Sequence, residues 1–221
     1  MTIEIRGSVK EIADSIFYDP SQYYNFKRDA NLEITLSEGL EKIGSSAFSD
    51  NYYNITSVNL PASVTSIGNS AFRNCTGLNR ETIELQQFSE LGTSAFSGCT
   101  GITTVTAGAG VTEIPDGSFS GCTGITSLDL GAVESIGESA FRNCMGITTL
   151  YLPDTLRSLE SYEGNTPGGY IPFYPFHGCT GITTVSIGGI EKLENGMIPI
   201  YQDMTIEIRG SVKEIADSIF Y

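Results

Sequence analysis

Five cysteines, Cys75, Cys99, Cys122, Cys144 and Cys179, and one histidine, His177, have the strongest claim to chemistry in this 221-residue chain. Thiolates bind soft metals and attack electrophiles, and imidazole moves protons near neutral pH. The spacing argues against both uses. No C-x-x-C pair occurs, so the zinc and thioredoxin patterns are absent. One histidine rules out a multi-histidine metal centre and leaves a single imidazole base. Each cysteine stands three residues after a phenylalanine (Phe72, Phe96, Phe119, Phe141, Phe176). One shared slot reads as a buried stack of small apolar residues rather than a column of thiols for metal or redox work. Stacked side chains on rungs about 5 Å apart point in parallel. With an odd number of thiols as well, free, reduced, buried cysteines are expected. His177 occupies a slot filled elsewhere by Ser49, Arg73, Ser97, Ser120 and Arg142, which predicts a solvent-facing residue without a catalytic role. No GxSxG elbow, Walker loop or EF-hand spacing appears. Catalytic, cofactor-binding and metal-ligating residues are each assigned as none, and no cofactor is implied.

The element that positions these residues is a repeat. Ile43–Phe48 reads IGSSAF, Ile67–Phe72 IGNSAF, Leu91–Phe96 LGTSAF and Ile136–Phe141 IGESAF, with Ile114–Phe119 (IPDGSF) a degenerate copy. A second block follows: NCTGL at Asn74, GCTGI at Gly98, Gly121 and Gly178, and NCMGI at Asn143. A short β-type run then leads through a turn to the next isoleucine. A unit of 22–24 residues cannot bury its own apolar face, so stacked units must share a core, which makes a solenoid. The alternation at Leu128-Asp129-Leu130 and Leu150-Tyr151-Leu152 turns leucines inward and Asp129 and Tyr151 outward. The small residue before each phenylalanine suggests close backbone approach, and the glycines of the C-x-G block suit a bend with positive φ. The expectation is one solenoid over residues 1–221, with about eight or nine rungs and insertions at about 19–31 and 160–175. The rung at Leu193–Ile200 is eroded, with Ile198 expected in the phenylalanine slot.

An IGxxAF block, a C-x-G-[IL] turn and a short strand at this period resemble the BspA-like bacterial leucine-rich repeat family. The likeness runs from about Ile34 to Ile190, and more loosely to the ends. It implies a curved leucine-rich-repeat solenoid with a strand per repeat. It also implies a secreted or cell-surface location and non-enzymatic binding, with some relatives acting as adhesins for host matrix proteins. On the same resemblance, the sequons at Asn54 and Asn74 are expected to be unused.

Charge and composition narrow the partners. The formal net charge is −14, which repels phosphate backbones and excludes nucleic acid as the expected ligand. No apolar run is long enough to span a bilayer, and the first ten residues hold no secretory h-region. Insertions in a repeat array become loops on one face, often the binding face. The larger insertion carries Tyr162, Tyr170, Phe173 and Tyr174. The N-terminal one carries Tyr23 and Tyr24, and Tyr52 and Tyr53 stand near a third turn. Tyrosine suits recognition of protein or glycan; the same aromatics could instead cover the solenoid's flank. The expected function is a binding or adhesion module for a host or matrix protein. A carbohydrate-binding accessory using the loop tyrosines is the alternative.

Residues 1–18 and 204–221 are identical, MTIEIRGSVKEIADSIFY. Drift among rungs does not preserve eighteen positions, so a recent duplication or a feature of how the chain was made is required. Both copies are expected to form the same rung, with Ile3, Ile5, Ile12 and Phe17 inward, and likewise Ile206, Ile208, Ile215 and Phe220. Uncapped end rungs are expected to favour end-to-end self-association.

Overall fold

The computed structural model describes residues 2–6, 8–17, 32–49, 55–78, 80–108, 110–159, 165–166, 169–170, 174–193, 197–198, 200–201, 203–210 and 212–215. Two kinds of strand alternate along the chain. The longer ones are Thr2–Ile5, Leu32–Leu36, Ile55–Val58, Thr82–Glu84, Thr104–Thr106, Ser127–Asp129, Thr149–Leu152, Thr184–Ile187 and Thr205–Ile208. Two-residue strands lie between them: Glu11–Ile12, Lys42–Ile43, Ser66–Ile67, Glu90–Leu91, Glu113–Ile114, Ser135–Ile136, Ser158–Leu159, Lys192–Leu193 and Glu214–Ile215. Within each sheet a strand pairs in parallel with its own kind on the next rung, for example Ile83↔Val105↔Leu128 and Ile43↔Ile67↔Leu91; the long-strand ladder is interrupted after Ile55–Val58 and Ser127–Asp129, and the short-strand ladder after Glu90–Leu91 and Ser158–Leu159. Parallel in-register stacking is what a repeat dictates, because identical slots must superpose to share a core.

A turn carrying the phenylalanine and cysteine completes each rung. The phenylalanine amide donates to the carbonyl before the next phenylalanine: Phe48 to Ala71 at 2.7 Å, Phe72 to Ala95 at 2.8 Å, Phe119 to Ala140 at 2.8 Å. The rings form a continuous stack from Phe17 through Phe48, Phe72, Phe96, Phe119 and Phe141 to Phe176, with centroids 5.1–5.6 Å apart. The isoleucines, the cysteines and six of these rings belong to one buried cluster. Ile198 is buried, at 2 % exposure.

The backbone of the turn explains the letters of the motif. The residue two before the phenylalanine sits in the left-handed region in the regular copies, as Ser46, Ser70, Ser94 and Ser139 at φ 54–57°, and Gly117 at 59° in the degenerate copy, but Tyr174 before Phe176 does not. The residue before each cysteine does the same, as Asn74 (56°), Gly98 (75°), Gly121 (75°), Asn143 (59°) and Gly178 (79°). Glycine and asparagine alternate there because they tolerate that conformation best.

The C-x-G glycines correct the sequence expectation. Gly77, Gly101, Gly124, Gly146 and Gly181 do not have positive φ. A Cβ on Gly77, Gly124 or Gly181 would collide with the carbonyl oxygens of Ile55, Thr100 or Met145, and one on Gly146 would lie 2.6 Å from that of Ile125. Gly77, Gly124, Gly146 and Gly181 are required by the close approach of one rung to the next, not by a bend, whereas a Cβ on Gly101 would meet its nearest neighbour, the Leu78 carbonyl oxygen, at 3.5 Å.

The larger insertion contains an antiparallel ribbon, Asn165–Thr166 against Gly169–Tyr170, beside otherwise parallel described strands. The terminal copies form the same strands at corresponding positions. Their burial differs from expectation. Ile12 is 2 % exposed and Ile3, Ile5, Phe17 and Ile206 are half-buried, but Ile208 is 44 % and Ile215 42 % exposed. Phe220 lies outside the described residues.

Candidate functional site

All five cysteines are free and buried. They are hydrogen-bonded as well as packed. Cys99, Cys122, Cys144 and Cys179 donate their thiol hydrogens to the carbonyls of Phe72, Phe96, Phe119 and Phe141 at 3.0–3.1 Å, each one rung upstream. Burial pushes the thiols of Cys75, Cys122 and Cys179 up to about 12, and those of Cys99 and Cys144 up as well. A thiol held protonated is neither a nucleophile nor a metal ligand. Among the described residues no three Asp, Glu, His or Cys side chains converge as a metal cluster would require.

His177 is half-buried rather than fully solvent-facing, and Ser49 in the same slot is buried. The slot lies where one turn leans on the next: the His177 carbonyl accepts from the Asn143 amide at 2.8 Å. Burial and the neighbouring Arg142 charge both hold its imidazole below the ordinary value.

The nominated aromatics fare unequally. Tyr174 is 7 % exposed and belongs to the core cluster, so its ring packs on the solenoid. Tyr170 lies on the insertion's ribbon. Tyr23, Tyr24, Tyr52, Tyr53, Tyr162 and Phe173 lie outside the described residues.

A groove absent from the sequence reading opens at the first of the two breaks in the short-strand ladder. Glu90–Leu91 and Glu113–Ile114 belong to separate sheets. Elsewhere the glycine after the isoleucine donates its N–H to the isoleucine carbonyl of the previous rung: Gly44 to Ile12, Gly68 to Ile43, Gly92 to Ile67 and Gly137 to Ile114, each at 2.8 Å. Pro115 occupies that slot in the degenerate copy and has no N–H to give. Its ring also fills the space in which the other copies need a bare glycine: a Cβ on Gly68 would lie 2.6 Å from the Ser45 nitrogen. The short strands therefore part here while the turns stay bonded, Phe96 to the Ser118 carbonyl at 2.9 Å, leaving an open groove of about 450 Å³. Its apolar lining is Leu85, Phe88, Leu91, Val111 and Pro115, and Glu90 and Glu113 stand beside it. Phe88 enters because a 3-10 turn at Leu85–Gln87 interrupts this rung and sets its ring 6.2 Å from Phe96, tilted by 42°. The signal available in the sequence was the proline in IPDGSF.

The long-strand face is polar. Thr82, Thr104 and Ser127 line up across one register, and Glu84, Thr106 and Asp129 across the next outward position. Tyr151, 49 % exposed, is the aromatic on this face, but the Arg209 guanidinium lies 3.9 Å over its ring. Arg209 also bonds the Tyr151 hydroxyl, the Leu152 carbonyl at 2.6 Å and Asp154 at 3.1 Å.

This repeat, with its buried thiol column and phenylalanine stack, is matched over residues 1–79 and 41–163 by the BspA type leucine-rich repeat region, in six copies. The chain belongs to that family. Solved bacterial leucine-rich repeat proteins share the fold at low identity. A leucine-rich repeat protein of T. pallidum superposes with a TM-score of 0.53 at 19% identity, covering 74% of this chain and 75% of that one. A leucine-rich cell surface protein of Faecalibacterium prausnitzii gives 0.51 at 17% identity, covering 95% of this chain and 60% of that one. This repeat chain therefore spans less than two thirds of the F. prausnitzii protein's length. No curated protein matches the BspA-type chain in sequence. Among the described residues no helix is long and apolar enough to cross a membrane.

Proposed function

We propose that the chain is a non-catalytic, surface-exposed or secreted recognition module whose ligand is a protein. The groove at the ladder break carries this reading. It offers Phe88, Leu91, Val111 and Pro115 as an apolar floor, with Glu90 and Glu113 at its side, on a chain of net charge −14. An extended segment bearing apolar and basic side chains fits that combination. Membership of the family and the printed description of the F. prausnitzii neighbour as a cell surface protein support the location. Adhesion to a host or matrix protein is the role expected of such a module.

Selection from a displayed random-peptide library tests this. Peptides combining lysine or arginine with bulky apolar residues are expected to enrich. Pro115→Gly restores the missing N–H and the space for rung contact, so it should weaken the selected peptides at least tenfold without unfolding the chain. Binding indifferent to Pro115→Gly would place the site elsewhere. Binding to a glycan array with no peptide enrichment would support the carbohydrate reading.

A further inference from the structure

We propose that the partner segment enters the groove as an added strand, parallel to Glu90–Leu91 and Glu113–Ile114, and that it reads apolar, any, basic, apolar from its N-terminal side. This deepens the peptide-binding reading above and rests on it. It starts from the hydrogen bonds that the ladder break leaves unmade. In the intact ladder one carbonyl accepts from two successive amides of the next rung: Thr65 from Ser89 and Glu90 at 2.8 and 3.3 Å, and Thr112 from Glu134 and Ser135 at 2.8 and 3.0 Å. The Ser89 carbonyl stands in the same slot before Thr112 and Glu113. Yet among the described residues no backbone hydrogen bond joins residues 89–91 to residues 112–115. Unpaired strand-edge groups beside an apolar floor are what an added strand recognises.

The repeat supplies the register. Leu40, Val64, Phe88 and Val111 share one slot of the unit, and Ile43, Ile67, Leu91 and Ile114 share another three residues on. Phe88, Leu91 and Val111, which line the groove, all belong to these two slots. Where the ladder is intact, Leu40, Ile43, Val64 and Ile67 are buried; at the break Phe88, Leu91 and Val111 are only half-buried. A strand with apolar residues in the same two slots would complete both columns.

Charge selects the residue between them. The slot before the second apolar one holds Glu11, Lys42, Ser66 and Glu90, in register within one sheet. Neighbours there are complementary: Lys42 pairs with Glu11 at 3.1 Å, and the Ser66 hydroxyl donates to Glu90 at 2.7 Å. Across the break the slot holds Glu113, which makes no ion pair among the described residues. Closing the ladder directly would set Glu90 against Glu113, and like charges directly opposite destabilise a sheet pair. A basic residue inserted there gains a carboxylate on each side. The same slot already takes a cation at another rung, where Lys192 stands in register with Glu214 at 3.5 Å.

Direction follows from order. A strand parallel to its two neighbours meets Phe88 and Val111 first, then Glu90 and Glu113, then Leu91 and Ile114. An antiparallel strand needs the reverse, apolar, basic, any, apolar. The ladder also says which amides bond across. Those of the basic residue and of the residue two beyond it would donate to the Ser89 and Leu91 carbonyls, as Glu90 and Gly92 donate to Thr65 at 3.3 Å and Ile67 at 2.8 Å. The amide of the first apolar residue makes no such bond: that of Val64 donates to Pro61 of its own rung at 3.2 Å.

Fluorescence polarisation of labelled synthetic peptides titrated with the full chain tests the proposal. The probe is acetyl-SLTKIGS-amide, and its retro-sequence SGIKTLS, of equal composition and charge, should bind at least tenfold more weakly. N-methylation of the probe's lysine amide should weaken binding at least tenfold, and N-methylation of its leucine amide should change it by no more than about twofold. Glu90→Gln with Glu113→Gln should erase the preference for SLTKIGS over SLTQIGS. Pro115→Gly should abolish binding, with hydrogen-exchange protection at Phe96 confirming that each variant's central rungs are folded. Binding lost in Pro115→Gly but indifferent to peptide order and N-methylation would put a ligand in the groove without a strand, overturning this proposal and leaving the peptide-binding reading intact. Tighter binding of SGIKTLS would reverse the direction and overturn the proposal alone. Probe binding indifferent to Pro115→Gly would overturn both. No binding of any of these peptides up to about 1 mM would overturn the added strand, while enrichment in the library selection would still uphold the wider reading.

Discussion

Phe141 and Phe176 stack with centroids 5.4 Å apart and planes 3° from parallel, although 35 residues separate them in sequence. The Phe141 amide donates to the Pro175 carbonyl at 2.9 Å, as the regular rungs do. The insertion therefore leaves the phenylalanine stack in register, and the stack runs through the rungs as one continuous axis.

Position along that axis sets the cost of losing a ring. Phe96 has Phe72 and Phe119 on either side at 5.6 Å, with Phe88 at its edge. Phe96→Ala should destabilise by about 3–5 kcal/mol. Phe17 is half-buried and stacks on Phe48. Phe17→Ala should cost about half as much, measured by urea unfolding. Equal losses would show that the end rung is buried as deeply as the centre.

Gly124 and Gly101 occupy the same motif position but not the same space. A Cβ on Gly124 would strike the Thr100 carbonyl oxygen, and one on Gly101 would lie 3.5 Å from that of Leu78. Gly124→Ala should cost about 2–4 kcal/mol through strain between rungs. Gly101→Ala should change stability by no more than about 1 kcal/mol, with reduced unfolded-state entropy in its favour. Thermal melts of the two variants would separate the close-approach account from a φ-based one, which predicts similar losses.

The thiols set an alkaline limit. Cys75, Cys122 and Cys179 titrate near 12 in the folded chain against an ordinary 9. An acid whose folded pKa is raised leaves stability undiminished below the unfolded pKa. Stability then falls as pH rises from about 9 towards 12, because the unfolded chain releases its protons first. Each such thiol contributes a slope of about 1.4 kcal/mol per pH unit in that window. Urea midpoints should be flat from pH 7 to 8.5 and fall steeply above pH 9.5. A flat profile to pH 11 would mean the thiols ionise freely in the native state.

The same burial governs reactivity. At pH 8 the native chain should resist alkylation at all five cysteines, and the unfolded chain should expose five titratable thiols. Cys122→Ser should cost only about 1 kcal/mol, because the Phe96 carbonyl 3.1 Å from the sulfur offers the hydroxyl an acceptor. A loss above about 3 kcal/mol would mean that the hydroxyl cannot reach it.

The sequence alone determined the solenoid, its period, the buried phenylalanine and cysteine slots and the shared strands of the two terminal copies. Repetition makes this possible: a residue type recurring at one period must superpose on itself, so a one-dimensional pattern fixes the three-dimensional neighbour. Tertiary structure decided what depends on distances between rungs. The C-x-G glycines looked like bend residues, and four of the five proved to be sites where one rung's carbonyl leaves no room for a Cβ. Tyr174 looked like a loop aromatic, and its ring lies in the core. Pro115 looked like drift in one copy, and its missing N–H parts two sheets and opens the groove beside Leu91. Ile12 and Ile215 stand in identical sequence, yet one is buried and the other exposed, because burial belongs to the neighbouring rung and not to the residue.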